Sequence, residues 1–105
     1  MPKGPLDILT ESMFYVLMAL SKKSMCGTEI AEWVTRRTGG RVTLGPGTLY
    51  TILGKFKEHR MIQEVAVDGR KRTYRITNPG LNAYWAERDR LRACVRDADM
   101  TERRY

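Results

Sequence analysis

Leu44-Gly-Pro-Gly-Thr-Leu-Tyr-Thr-Ile-Leu-Gly-Lys-Phe-Lys-Glu-His-Arg60 is the stretch that decides the fold. It reads as a short helix with one apolar side. Leu49, Ile52, Leu53 and Phe56 recur at i, i+3, i+4 and i+7, the spacing of one helix face. Pro46 suits the first turn, where a missing N–H costs nothing. The opposite face carries Gly47, Thr51 and Gly54, flanked by Thr48, Tyr50, Lys55 and Lys57. Small residues, hydroxyls and lysines on an outward face suit a helix that approaches a phosphate-lined groove closely. A core-packed helix with a solvated outer face has a similar pattern, so the neighbouring stretches must decide.

After this helix, Met61 to Val67 reads as a strand. Asp68-Gly69 is a two-residue hairpin signal, because a type I′ turn needs positive φ at both central positions. The return strand, Arg70 to Thr77, alternates Tyr74 and Ile76 with Thr73, Arg75 and Thr77. Arg70, Lys71, Arg72 and Arg75 give this wing a cationic tip that can lie against a phosphate backbone. Four cations in six residues exceed what an aggregation-resistant edge strand requires.

Before the helix, Thr10 is placed to cap a first helix running from Glu11 to Leu20. One face holds Met13, Val16, Leu17 and Leu20, and a second holds Phe14, Tyr15 and Met18. A helix with two apolar faces must be covered twice. A second helix starts around Cys26-Gly27-Thr28, with Thr28 as its cap, buries Ile30, Trp33 and Val34, and stops at Gly39-Gly40. Arg41 to Leu44 is a linker or a short strand. Two short helices followed by a cationic hairpin make a winged helix-turn-helix. The fold class is therefore mainly α with a small β-hairpin.

The last element begins at Asn78-Pro79-Gly80, with Asn78 capping and Pro79 first in the helix, and runs to about Asp97. Leu81, Tyr84, Arg88, Leu91, Val95 and Ala98 form a heptad-like seam bordered by Trp85. A second subunit is the natural cover for this seam and for Phe14 and Met18. The alternative is a monomer whose terminal helix folds back. Residues 1–9 are expected to be extended, and residues 100–105 to fray. The chain divides into a winged region over 10–77 and a terminal dimerisation helix with its tail over 78–105, within one domain.

Charge supports a polyanion partner. The formal net charge is +7. Residues 36–75 hold ten basic groups and three acidic ones, which accounts for the whole excess. The longest apolar run, Met13 to Leu20, is too short to span a bilayer, and the first ten residues lack the apolar core of a signal peptide, so a cytoplasmic, non-membrane protein is expected. Cys26 and Cys94 lack metal-site spacing and read as two reduced, partly buried thiols. No metal or cofactor is expected. The single histidine, His59, has no nucleophile and orienting partner beside it, which argues against an enzyme.

With these elements in place, the chain resembles the PadR family of bacterial winged-helix transcriptional regulators. Leu44-Gly-Pro-Gly-Thr-Leu-Tyr50 carries the resemblance, together with Gly69-Arg-Lys-Arg-Thr-Tyr-Arg-Ile-Thr77 followed by Gly80, and Cys26-Gly-Thr-Glu-Ile30. The single terminal helix resembles the small subfamily. The resemblance implies a homodimeric repressor of a palindromic operator, paired through the first and last helices. Two departures stand out. The family often has serine where Gly45 stands, and some drug-sensing members carry a ligand-stacking tryptophan near the place of Leu91, whereas Trp85 lies almost two turns earlier.

The expected DNA contacts are Thr48, Tyr50, Thr51, Lys55 and Lys57 on the helix and Arg70, Lys71 and Arg72 on the wing. Tyr50 has a second reading, as a core residue with its hydroxyl at the surface. The expected dimer interface is Phe14, Met18, Leu81, Tyr84, Trp85, Arg88, Leu91 and Val95. A small aromatic effector would sit among Phe14, Tyr84, Trp85 and Leu91, a set that also reads as plain dimer core. The rival to a double-stranded DNA regulator is a winged-helix protein-interaction module.

Overall fold

The structure is a computed structural model that describes residues 9–103. The elements are α1 (Glu11–Lys22), β1 (Met25–Cys26), α2 (Gly27–Arg37), α3 (Pro46–Glu58), β2 (Ile62–Asp68), β3 (Lys71–Ile76) and α4 (Asn78–Glu102). The strands form one antiparallel sheet in the order β1-β3-β2. This is the expected mainly α winged helix-turn-helix with a long terminal helix.

The core lies where the apolar faces of α1, α2 and α3 meet the sheet. Val16, Leu17, Ile30, Val34 and Phe56 are fully buried there, with Leu49, Ile52, Leu53 and Tyr74 around them. The Thr10 hydroxyl accepts from the Met13 N–H at 3.1 Å, as expected of an N-cap. The second apolar face of α1 is partly covered within the chain. Phe14 stacks on Tyr84 of α4 with ring centroids 5.3 Å apart. The Arg41 guanidinium lies over the Tyr15 ring, donates to its hydroxyl at 2.8 Å and pairs with Glu11 at 2.8 Å.

Several sequence expectations are corrected. The cap of α2 is Cys26, not Thr28, because the Glu29 carboxylate reaches back to accept from the Cys26 N–H at 2.9 Å. That bond holds Glu29 below the ordinary carboxylate range. Met25–Cys26 form a strand too short to show alternation, paired with Thr73 and Tyr74. Arg41 to Leu44 forms no strand. The turn of the wing is centred on Gly69-Arg70, since Asp68 pairs with Lys71. Gly69 has φ +62° and Arg70 does not share it, which suits a type II′ turn rather than type I′. A bulge at Val65 interrupts the hairpin register.

The start of α4 also shifts. Thr77, not Asn78, is the N-cap, accepting from the Gly80 N–H at 3.2 Å, and Asn78 precedes Pro79 in the helix. At its far end α4 continues to Glu102 instead of stopping near Asp97, since no glycine or proline follows to break it. Half of the expected frayed tail, residues 100–102, is therefore helical; its last two residues, 104 and 105, lie outside the described set, as do residues 1–8 of the expected extended arm. Cys26 is buried, whereas Cys94 is exposed rather than partly buried.

The half of α4 beside α1 is well covered and the other half is not. Leu81, Tyr84 and Arg88 are half-buried, while Leu91, Val95 and Ala98 are exposed. Glu87 is buried and takes both arms of the Arg90 guanidinium at 2.7 and 2.8 Å. Those hydrogen bonds hold its carboxyl below the ordinary value of 4.5 against the opposing effect of burial. A carboxylate depressed in the folded state stabilises the fold above its unfolded value and loses that contribution as pH falls through the folded one. The stability gap between the natural chain and a Glu87→Gln variant is therefore expected to be widest near neutral pH. It should narrow once the pH drops below 4.5. Urea titrations at neutral and acidic pH check this, and a gap independent of pH would refute the assignment.

Candidate nucleic-acid interface

The sequence of α3 dictates which side faces out. With Leu49, Ile52, Leu53 and Phe56 committed to the core, Gly47, Thr48, Thr51, Gly54 and Lys55 are left in solvent. Gly45 is the N-cap and, as expected, supplies no side-chain acceptor. Lys55 and Lys57 lie in the last turn, where the helix dipole favours cations. The helix ends through Arg60, the only non-glycine residue with positive φ among those described, at +59°. The Met61 N–H returns to the Phe56 carbonyl at 2.8 Å and the Arg60 N–H to Lys57 at 3.0 Å, a Schellman closure with arginine in place of glycine. The Thr77 hydroxyl holds this corner by donating to the Arg60 carbonyl at 2.7 Å.

The structure sorts the eight expected contact residues into three groups. Tyr50, Arg70, Lys71 and Arg72 line one cleft of about 330 Å³ together with Cys26, Gly27, Thr28 and Tyr74. Tyr50 is 66% exposed, which settles its placement against a core role. The buried ring of Tyr74 floors the cleft, and burial pushes its phenol above the ordinary value. The opposite wall is the first turn of α2, so the positive end of a helix dipole joins three wing cations. Thr28 and Gly27 belong to this wall. The Cys26-Gly-Thr-Glu motif is their signal; in the sequence it reads as a helix start and as part of the family resemblance, not as a contact surface.

Thr48, Thr51 and Lys55 line a second, shallow groove of about 540 Å³ against the start of α1, with Thr10 and Ser12 on the far side. The Thr51 hydroxyl donates to the Gly47 carbonyl at 3.0 Å, so it faces outward as an acceptor. Lys57 lies in neither place. Its ammonium sits 3.3 Å from the Glu64 carboxylate, and Arg72 reaches the same carboxylate at 3.2 and 3.1 Å. Hydrogen bonds from Arg72, with help from Lys57, hold Glu64 below the ordinary carboxylate range. Arg75 pairs instead with Gln63 at 2.8 Å on the other face of the hairpin.

The expected interface residues of α1 and α4 fall into two sets. Phe14, Arg88, Leu91 and Val95 line one open groove of about 430 Å³ beside Arg92, Arg96 and Asp99. Trp85, at 45% exposure, and Met18, Leu81 and Tyr84 are not part of its lining. Of the aromatic residues expected around an effector, only Phe14 reaches the groove, and Tyr84 already spends a ring face on it. No described helix is long and apolar enough to cross a membrane.

Similar folds are known. A transcriptional regulator from Clostridium thermocellum superposes with a TM-score of 0.75 at 20% identity, covering 84% of this chain and 89% of that one. RosR of H. salinarum superposes with a TM-score of 0.65 at 21% identity, covering 89% and 96%. Bacillus subtilis PadR, solved in complex with operator DNA, gives 0.63 at 20% identity; 77% of this chain covers 46% of that longer one. No curated protein sequence matches the chain. A family profile does match, over residues 16–85, a span from within α1 through α2, α3 and the hairpin to the start of α4. The chain therefore belongs to the Transcriptional regulator PadR-like family.

Proposed function

We propose that the protein is a homodimeric, sequence-specific repressor that binds a palindromic double-stranded DNA operator in the cytoplasm. The observation that carries this reading is the convergence of Tyr50 of α3 with the three wing cations and the α2 terminus around one cleft. In the proposed complex α3 enters the major groove. Thr48, Thr51 and Lys55 meet base edges or phosphates there, and Tyr50, Arg70, Lys71 and Arg72 enclose one backbone phosphate against α2. Bacillus subtilis PadR, a protein of similar fold solved in complex with operator DNA, is consistent with a DNA-binding reading.

Pairing is assigned to the exposed half of α4. Leu91 and Val95, with exposures of 36% and 60%, continue the seam beyond the part that α1 covers. A second copy seated on Phe14, Leu91 and Val95 buries this apolar surface and sets two reading heads about 34–36 Å apart, or a multiple of that. A small aromatic effector at the same place would act by changing that spacing.

Selection of bound duplexes from a random pool at two salt concentrations tests the reading. A palindrome with half-sites about one turn apart supports it. Binding without a motif would reduce the protein to a non-specific DNA binder, and no binding at either salt would favour a protein-interaction module. With the selected duplex, Lys55→Ala and Arg70→Ala should each weaken binding and flatten the log–log salt slope by about 0.9. A slope unchanged from that of the natural chain would remove the residue from the phosphate contacts.

A further inference from the structure

Glu64 is an anion set inside the most cationic surface of the molecule. It lies on β2, the outer strand of the wing, facing Tyr74 across the hairpin. Its side chain is 22% exposed and holds two cations from different elements. Lys57 comes from the last turn of α3, the proposed reading helix, and Arg72 from the returning strand of the wing. A single Arg72 nitrogen, Nη1, donates to both carboxylate oxygens, at 3.2 and 3.1 Å, a contact that two oxygens of a phosphate can also accept. The trio carries one net positive charge where the two cations alone would carry two.

We propose that Glu64 is a positioning residue that sets DNA specificity by occupying Lys57 and Arg72 until a correctly seated phosphate takes its place. This rests on the DNA-binding reading above. A phosphate offers the same two-oxygen face as the carboxylate, so the exchange keeps the geometry of Arg72 and costs one ion pair for each one gained. On an arbitrary duplex the phosphates do not sit where both cations can be recruited at once. Glu64 then remains paired, and the interface binds with fewer counterions released. On a fitting duplex α3 is seated in its groove, and Lys57 and Arg72 transfer together. The carboxylate also joins wing to helix, so the two grips move as one.

The test is Glu64→Gln in the full chain, which keeps the shape and one hydrogen-bonding oxygen but removes the charge. An unchanged melting temperature shows that the fold is retained, as expected for a pair with both cation heads about half exposed. Affinity for a random-sequence duplex and for the selected duplex is then measured across a salt series. The random duplex should be bound about tenfold more tightly, with a salt slope steeper by about 0.9 to 1.8, the yield of one or two additional phosphate contacts. The selected duplex should gain less, so the ratio between them falls. Adding Arg72→Ala and Lys57→Ala to the Glu64→Gln chain should abolish the gain.

Three results would overturn the proposal. One is a random-duplex affinity and slope equal to those of the natural chain. Another is a gain that survives loss of Lys57 and Arg72, which would mark a general charge effect. The third is a changed base preference at a single position, which would make Glu64 a direct reader of a cytosine amino group. Failure of both proteins to bind any duplex would instead bring down the DNA-binding reading itself, and this inference with it.

Discussion

Gly80→Ala is expected to destabilise the protein by about 3 kcal/mol or more, the upper range for forcing extra volume into a packed site. Helix propensity alone gives the opposite sign, since alanine is favoured over glycine inside a helix by about 0.8–1.0 kcal/mol. Packing overrides propensity here. A Cβ at Gly80 would collide with the Met61 carbonyl oxygen and lie 2.8 Å from Ile76 Cγ1. The Met61 oxygen cannot retreat, because it accepts the Thr77 N–H at 3.0 Å and follows directly on the corner at Arg60. Thermal melts followed by circular dichroism should show a fall of about 12 °C or more, at roughly 4 °C or more per kcal/mol for a domain of this size. Gly54→Ala is the matched comparison, with nothing within 4 Å of its Cβ, and should stabilise the fold by about 0.5–1 kcal/mol. A Gly80→Ala chain that melts at or above the natural temperature would show that α4 does not pack as described.

Phe56→Ala is expected to cost about 3–5 kcal/mol through lost burial and the cavity left behind. Small domains have about 5–15 kcal/mol in total, so much of the chain's stability is at stake. Phe56 is fully buried and is the last core residue of α3. Its own carbonyl also closes the helix by accepting from Met61. Lys55 and Lys57 flank it on the outside, so loosening this turn should also reduce DNA binding. Phe56→Leu should recover most of both losses. The check is a urea titration in which the midpoint falls while the slope stays constant. A midpoint close to the natural one would place the core elsewhere.

The parts that were legible in the sequence are those whose signals are local. The period of Leu49, Ile52, Leu53 and Phe56 is unbroken, so α3 runs over Pro46–Glu58 as read, with its outward face correctly identified. The hairpin is readable from Gly69, but its turn lies one residue later than Asp68-Gly69 predicts, because Asp68 pairs with Lys71 and the positive φ falls at Gly69. β1 could not be read, since two buried residues carry no alternation and exist as a strand only through β3. The cap of α2 was misplaced because Glu29, not a hydroxyl, satisfies the exposed amide. In the candidate site, charge showed which stretches were cationic. Which cations share a carboxylate depends on α3 and β2 meeting in space, so the pairing of Lys57 and Arg72 at Glu64 left no trace in either stretch alone.

The corner between Arg60 and Gly80 has a mechanical consequence. Thr77 alone makes four hydrogen bonds there, at 2.7, 2.9, 3.0 and 3.2 Å, tying the end of α3 to the beginning of α4. That makes Gly80 a fulcrum and α4 a lever arm. The arm is 25 residues long. At about 1.5 Å per residue it reaches roughly 37 Å, so a tilt of about 5° at the fulcrum displaces its tip by about 3 Å. In the proposed dimer, a change of about 5° in the angle between two such arms at their paired tips would displace the α3 end of each by a similar distance of about 3 Å.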